Sequence, residues 1–251
     1  MKTTPMHRLA AAVLLATVGL TASTGEEPAP AKADAALPPS EVAFKQASAA
    51  GKHLFILFFD EDNEATRTAR KTLDDVLAKL ADTAQQFMVK KGVPEEAALA
   101  KKYGIDDAPM PLLLVLAPNG AVTLGCLAKD INEERLRSGI AGPAQQQCLK
   151  ALQDGKVVVL CACAKGVADD APALKGIRDF KADPKYATAE VVRLDPADNA
   201  QAGFVKQLNI DPKAEMTTLV LAPPNTLLKR FRGVVTKDGL ANALKSAAPG
   251  G

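Results

Sequence analysis

Apolar positions along this chain gather into short runs. HLFILFF (53–59) and VVVLCAC (157–163) are uninterrupted, of strand length, and β-branched or aromatic in character, which predicts two strands. Each follows a helix-length segment that opens on a proline (Pro39, Pro143) and closes on a glycine (Gly51, Gly155). Those residues suit a helix's first turn and its left-handed C-cap. After each run the period changes. Leu73, Val76, Leu77 and Leu80 recur at i, i+3, i+4 and i+7, and Leu174, Ile177 and Phe180 do likewise behind Pro172, so each set lines one helix face. Second strands follow (QQFMV, 85–89; AEVVRL, 189–194), then short helices ending at KKYGI (101–105) and KQLNI (206–210). Hairpins are predicted to turn at Pro118-Asn119-Gly120 and at Pro224-Asn225-Thr226. A closing helix should start near Asp130 or Asn132 in the first series and near Thr236 in the second, all residues suited to an N-cap.

The two series are one pattern written twice. Residues 39–59 lie on residues 143–163 at a shift of 104, with Pro39 on Pro143, Ala47 on Ala151 and Gly51-Lys52 on Gly155-Lys156. ALAKKYGI (98–105) meets GFVKQLNI (203–210) at a shift of 105, and MPLLLVLAPNG (110–120) meets MTTLVLAPPNT (216–226) at 106. A slowly drifting shift is what loop insertions in a duplicated domain produce. Each copy has about 100 residues, enough to bury its own core.

In this order of elements each copy resembles the thioredoxin fold, and the resemblance covers residues 40–248. The segment AKKYGIDDAPMPLLLVLAPNGAV looks like the family's cis-proline and β-hairpin region. The resemblance implies an α/β chain of two tandem thioredoxin-like domains, 39–141 and 142–248, each a central mixed sheet flanked by helices. It also implies a cis bond at Met110-Pro111, beside the family's active site, where the backbone of an extended substrate is presented. Met110 and Pro111 are therefore the peptide-binding candidates. The second copy has Met216-Thr217 at that place, where a cis bond is not expected.

The family's redox centre is a Cys-x-x-Cys at a helix N-terminus, where the helix dipole favours the thiolate. Counting from the Gly-Lys anchors places that tetrapeptide at Asn63-Glu64-Ala65-Thr66 and at Val167-Ala168-Asp169-Asp170, neither with a cysteine. Leu57 stands where redox-active members commonly keep a buried acid. The same count sets Cys161 opposite Leu57 and Cys163 opposite Phe59, inside a strand. Alternate residues share a face, and their Cα atoms are about 6.5–7 Å apart, at or beyond the reach of a disulfide. Three readings of the pair stay open: two buried cysteines packing as small hydrophobes or, if the strand stops near Leu160 and frees the segment as a loop, a redox pair or ligands for a soft ion such as Cu(I). No second Cys pair with finger-like spacing accompanies them, so no metal site is expected. Cys126 and Cys148 are a candidate disulfide that would tie the copies together. His53, entering a strand, reads as structural, and the acids DEDNE (60–64) as a favourable helix start.

Composition narrows the partners. With no Trp and no basic run of five or more, a nucleic-acid reader is not expected. Lys2 and Arg8, then LAAAVLLATVGL, then TASTG have the three parts of a signal peptide (1–24), cleaved near Ala22 to Gly25. Its twelve-residue apolar run is short for a bilayer span. A Pro/Ala-rich leader (25–38) follows. Removing Lys2 and Arg8 brings the basic residues from 31 to 29, equal to the 29 acids. The expectation is a secreted or periplasmic protein with no stable membrane anchor after cleavage and no cofactor. It would act as a protein- or peptide-binding or scaffolding module without the usual dithiol. The alternative is an atypical thiol–disulfide oxidoreductase with Cys161 and Cys163 as the catalytic candidates.

Overall fold

A computed structural model describes residues 37–245. The expected signal peptide and nearly all of the expected leader lie outside the described residues. The first half runs α1 (Pro39–Ala49), β1 (His53–Phe59), α2 (Glu64–Leu77), β2 (Ala84–Lys90), α3 (Ala97–Tyr103), β3 (Leu112–Leu116), β4 (Val122–Leu127) and α4 (Glu133–Ser138). The second repeats it as α5 (Pro143–Gln153), β5 (Val158–Cys163), α6 (Lys175–Ala182), β6 (Glu190–Leu194), α7 (Ala202–Gln207), β7 (Met216–Ala222), β8 (Thr226–Arg232) and α8 (Lys237–Lys245). Short 3-10 turns connect several of these.

The sheets have the same order and sense. In β2-β1-β3-β4 the β1–β2 pair is parallel and the other two pairs are antiparallel; β6-β5-β7-β8 matches it pair for pair. Even the irregularity in the hairpins recurs, between Val115 and Leu116 and between Val220 and Leu221. These are the two tandem thioredoxin-like domains implied by the sequence. The left-handed turn after α3 falls on Gly104 (φ 64°), and after α7 on Asn209 (φ 49°), the non-glycine type that best tolerates this region.

Each central strand is buried on both faces, which explains its unbroken apolar run. Leu54, Ile56 and Phe58 pack with Ala43 and Ala47 of α1, while Phe55 and Leu57 pack with Leu73 and Val76 of α2 and Leu136 of α4. In the second half Val158, Leu160 and Ala162 face α5 and α7, and Val159, Cys161 and Cys163 face α6 and α8. Burying a side chain of the Leu, Ile or Phe type contributes about 1.5–3 kcal/mol.

The halves are joined through the linker and α5. The Gln153 amide accepts from Val122 N–H (2.9 Å) and donates to Val122 C=O (2.8 Å), continuing the ladder where β4 is an edge strand. Asn119 Nδ2 donates to Gln146 C=O (2.9 Å), and Ala141 N–H donates to Nε2 of the buried His53 (3.1 Å). That histidine is structural: burial pushes its pKa below the usual 6.5, and its acceptor lone pair holds the linker. Among the described residues, no helix is long and apolar enough to cross a membrane.

Candidate functional site

The end of the first sheet brings together the loop after β1, the start of α2 and the segment after β4. Asn63 stands where the family's first cysteine would be, and its Oδ1 accepts from Thr66 N–H at 3.0 Å. The helix start is therefore satisfied by a neutral cap. Thr66, the position of the second cysteine, is buried and donates its hydroxyl to Glu61 C=O at 2.7 Å. The acids Asp60, Glu61, Asp62 and Glu64 are exposed around this turn, and Leu57 beneath it is buried.

The Met110–Pro111 bond is cis. Pro111 is buried, and its C=O accepts from Ala128 N–H at 2.9 Å. Ala128 and Lys129 form one wall of an open groove of about 560 Å³ whose other wall is Asn63, Glu64, Ala65 and Thr68. The cis bond is thus one hydrogen bond away from a groove that runs past the helix start. The groove offers backbone groups, small side chains and mixed charge, with no thiol and no imidazole. Thr68 and Lys129 supply its hydroxyl and its amine.

The corresponding end of the second sheet is built differently. The tetrapeptide Val167–Asp170 lies in a loop short of α6, followed by a 3-10 turn at Pro172–Leu174, so it does not cap a helix. The Met216–Thr217 bond is not among the cis bonds; the second cis bond, Pro223–Pro224, sits in the hairpin turn.

The strand does not stop at Leu160. β5 continues to Cys163, with Cys161 1% and Cys163 3% exposed, so the loop form required by a redox pair is not present. Burial, and then the neighbouring Cys163 sulfur, push the Cys161 thiol up to about 12, the reverse of what an attacking thiol needs. Arg193, at the end of β6, lays its guanidinium against this corner. Nη2 lies 3.4 Å from Cys163 Sγ and also donates to Val167 C=O, while Nη1 pairs with Asp169.

Cys126 and Cys148 do not form the bridge considered above. Both are free, and they sit in separate cores: Cys126 with Phe55, Leu113 and Leu136, Cys148 with Leu160 and Leu219. Burial raises both thiols, Cys148 to about 12. Among the described residues, no group of three or more His, Cys, Asp or Glu is placed to hold a metal ion. Arg193 is the residue at this corner that the sequence pattern did not single out. The available signal was a lone cation inside the apolar strand AEVVRL.

No family model matches the sequence, and no curated protein gives a significant match. Similar solved structures include a disulphide isomerase from Xylella fastidiosa Temecula1, at 19% identity over 43% of this chain and 90% of that one (TM-score 0.32). The first two thioredoxin domains of Saccharomyces cerevisiae Eps1p align over 86% of this chain and 99% of that one, at 13% identity (TM-score 0.30). The N-terminal domain of the alkylhydroperoxide reductase AhpF from Enterococcus faecalis aligns over 81% and 98%, at 16% identity (TM-score 0.30). The fold itself rests on strand order and register.

Proposed function

We propose that this chain is an exported protein- or peptide-binding module that keeps the groove-forming end of its first thioredoxin-like sheet, around Met110–Pro111, and performs no dithiol turnover there. The supporting observation is the Asn63 cap. The helix terminus that would stabilise a thiolate instead hydrogen-bonds a neutral amide, beside a groove that stays open. Export is proposed from the basic, apolar and small-residue order of the N-terminal sequence. No observation favours the oxidoreductase alternative, since Cys161 and Cys163 lie in an intact, buried strand.

The test is binding of a panel of extended peptides to the wild type and to Met110→Ala and Pro111→Ala, alongside a disulfide-reduction assay. The reading expects at least one variant to weaken binding by about tenfold, the equivalent of one or two backbone hydrogen bonds. It also expects reduction at the uncatalysed rate in the wild type. Unchanged affinity in both variants removes the groove from the mechanism. Turnover abolished by Cys161→Ala with Cys163→Ala restores the enzyme reading. The mass of the protein recovered outside the cytoplasm tests export: a chain retaining residues 1–24 counts against it.

A further inference from the structure

The second half places three sulfur atoms in one buried corner. Cys161 and Cys163 share the face of β5 that looks toward α6 and α8 and lie in one buried cluster. Met216, the first residue of β7, is the direct cross-strand partner of Cys163 and belongs to the same cluster, 4% exposed. Directly opposed residues have Cβ atoms about 4.5–5.5 Å apart and diagonal ones about 7–8 Å, so a flexible thioether is adjacent to the Cys163 thiol and within a side chain's length of Cys161. Thr218, cross-strand partner of Cys161, has a fully buried Oγ1 beside that sulfur without a conventional hydrogen-bond partner.

We infer that Cys161, Cys163 and Met216 form a binding site for a soft monovalent cation of the Cu(I) type, independent of the groove in the first half. Two thiols and a thioether are soft donors, which suits Cu(I); a structural Zn(II) site wants four nitrogen, oxygen or thiolate ligands. Binding releases both S–H protons to solvent and forms two thiolate–copper bonds and one thioether–copper bond, with copper remaining Cu(I). The resulting unit carries one negative charge. Arg193, with Nη2 3.4 Å from Cys163 Sγ, places a positive charge against that unit from the buried side, while its other nitrogen pairs with the exposed Asp169. Access is at the strand end, through Cys163 alone; the rest of the opening lies toward α5. The Arg193 side chain is 34% exposed, and Cys163, Lys165 and Arg193 line an opening of about 600 Å³ at the strand end.

The experiment is an anaerobic titration of the full chain with Cu(I) against a chromophoric Cu(I) chelator, with Zn(II) for comparison. Folding is monitored by far-UV circular dichroism. The proposal expects one Cu(I) held per folded chain and no competitive Zn(II) binding. It also expects loss of the site in Cys161→Ser with Cys163→Ser, and retention in Cys126→Ser with Cys148→Ser. Met216→Leu and Arg193→Gln should each weaken the site at least about tenfold, the range for ligand and outer-shell losses. Failure to compete with the chelator, or binding that survives the double serine variant, overturns it. Unchanged affinity in Met216→Leu overturns the three-sulfur assignment. If the double serine variant does not fold, X-ray absorption on the wild-type complex decides: sulfur-only coordination supports the site, and nitrogen or oxygen ligands refute it.

Discussion

Gly176, in the first turn of α6, offers a test whose sign separates packing from propensity. By helix propensity alone Gly→Ala is stabilising, by about 1 kcal/mol at most. The structure predicts the opposite. A Cβ built on Gly176 would lie 1.9 Å from Val235 C=O oxygen and 2.8 Å from Thr236 Cα, whereas ordinary contact begins near 3.4 Å. Both obstacles are backbone, so α6 or residues 235–236 must give by well over an ångström. Ile177 and Phe180 of α6 pack with Val235, Leu240, Cys161 and Cys163, and that displacement loosens the cover over both thiols. Overpacking of this kind costs about 1–3 kcal/mol, sometimes more. A clash with backbone at 1.9 Å takes the upper part of that range, about 2–3 kcal/mol. Less the propensity gain of about 1 kcal/mol, Gly176→Ala should lose about 1–2 kcal/mol, a fall in Tm of roughly 2–8 °C for a chain of this size. Urea denaturation should show a lower midpoint at unchanged m, and alkylation of Cys161 and Cys163 in the native state should quicken. A midpoint equal to or above wild type refutes the close approach of α6 to residues 235–236.

Three further outcomes are expected. Asn63→Ala removes the cap on Thr66 N–H and should lower stability by about 1 kcal/mol in chemical denaturation; no loss would mean that Asn63 does not hold the helix start. Because burial lowers the His53 pKa, the unfolded chain takes up a proton below about pH 6.5 that the folded chain refuses. Stability should therefore fall as pH drops from about 7 toward the folded pKa, by up to about 1.4 kcal/mol per unit, and His53→Gln should lack that slope. Gln153→Ala deletes both bonds to the edge of β4 and should cost about 1 kcal/mol, since the freed groups at Val122 regain water. An unchanged denaturation midpoint would show that α5 does not brace the first sheet.

The parts of this structure legible in the sequence are those set by local pattern. Proline and glycine punctuation located α1 and α5, and period changes separated strand from helix. The duplication was visible because Gly51-Lys52 and Gly155-Lys156 anchor the same turn twice. Alternation along β5 also puts Cys161 and Cys163 on one face from the sequence alone. What was not legible depends on partners far along the chain. Met216 lies beside Cys163 only through the β5–β7 register, and Arg193 reaches it only because β6 pairs on the other side. Gln153 looks like a surface residue until α5 is laid against β4. Counting from the anchor also placed Val167–Asp170 as though a helix began there, whereas the second half spends those residues on a loop.

That loop is where the copies differ most, and it lies at the end of the fold where the resemblance places chemistry. In the first half α2 begins at Glu64, shortly after β1 ends at Phe59, and the connection closes on itself through Asn63 and Thr66. In the second, α6 does not begin until Lys175, although β5 ends at Cys163. The longer connection folds back so that Val167 C=O and Asp169 hold the Arg193 guanidinium against Cys163. The cores of the two halves are otherwise built alike, down to the hairpin irregularity. Packing alone does not call for a cation clamped over a sulfur, since Phe59 stands at the Cys163 position in the first half. The duplicated sheet end has thus diverged: an open groove lies beside it in one half, and in the other a clamped guanidinium lies over a buried pair of thiols.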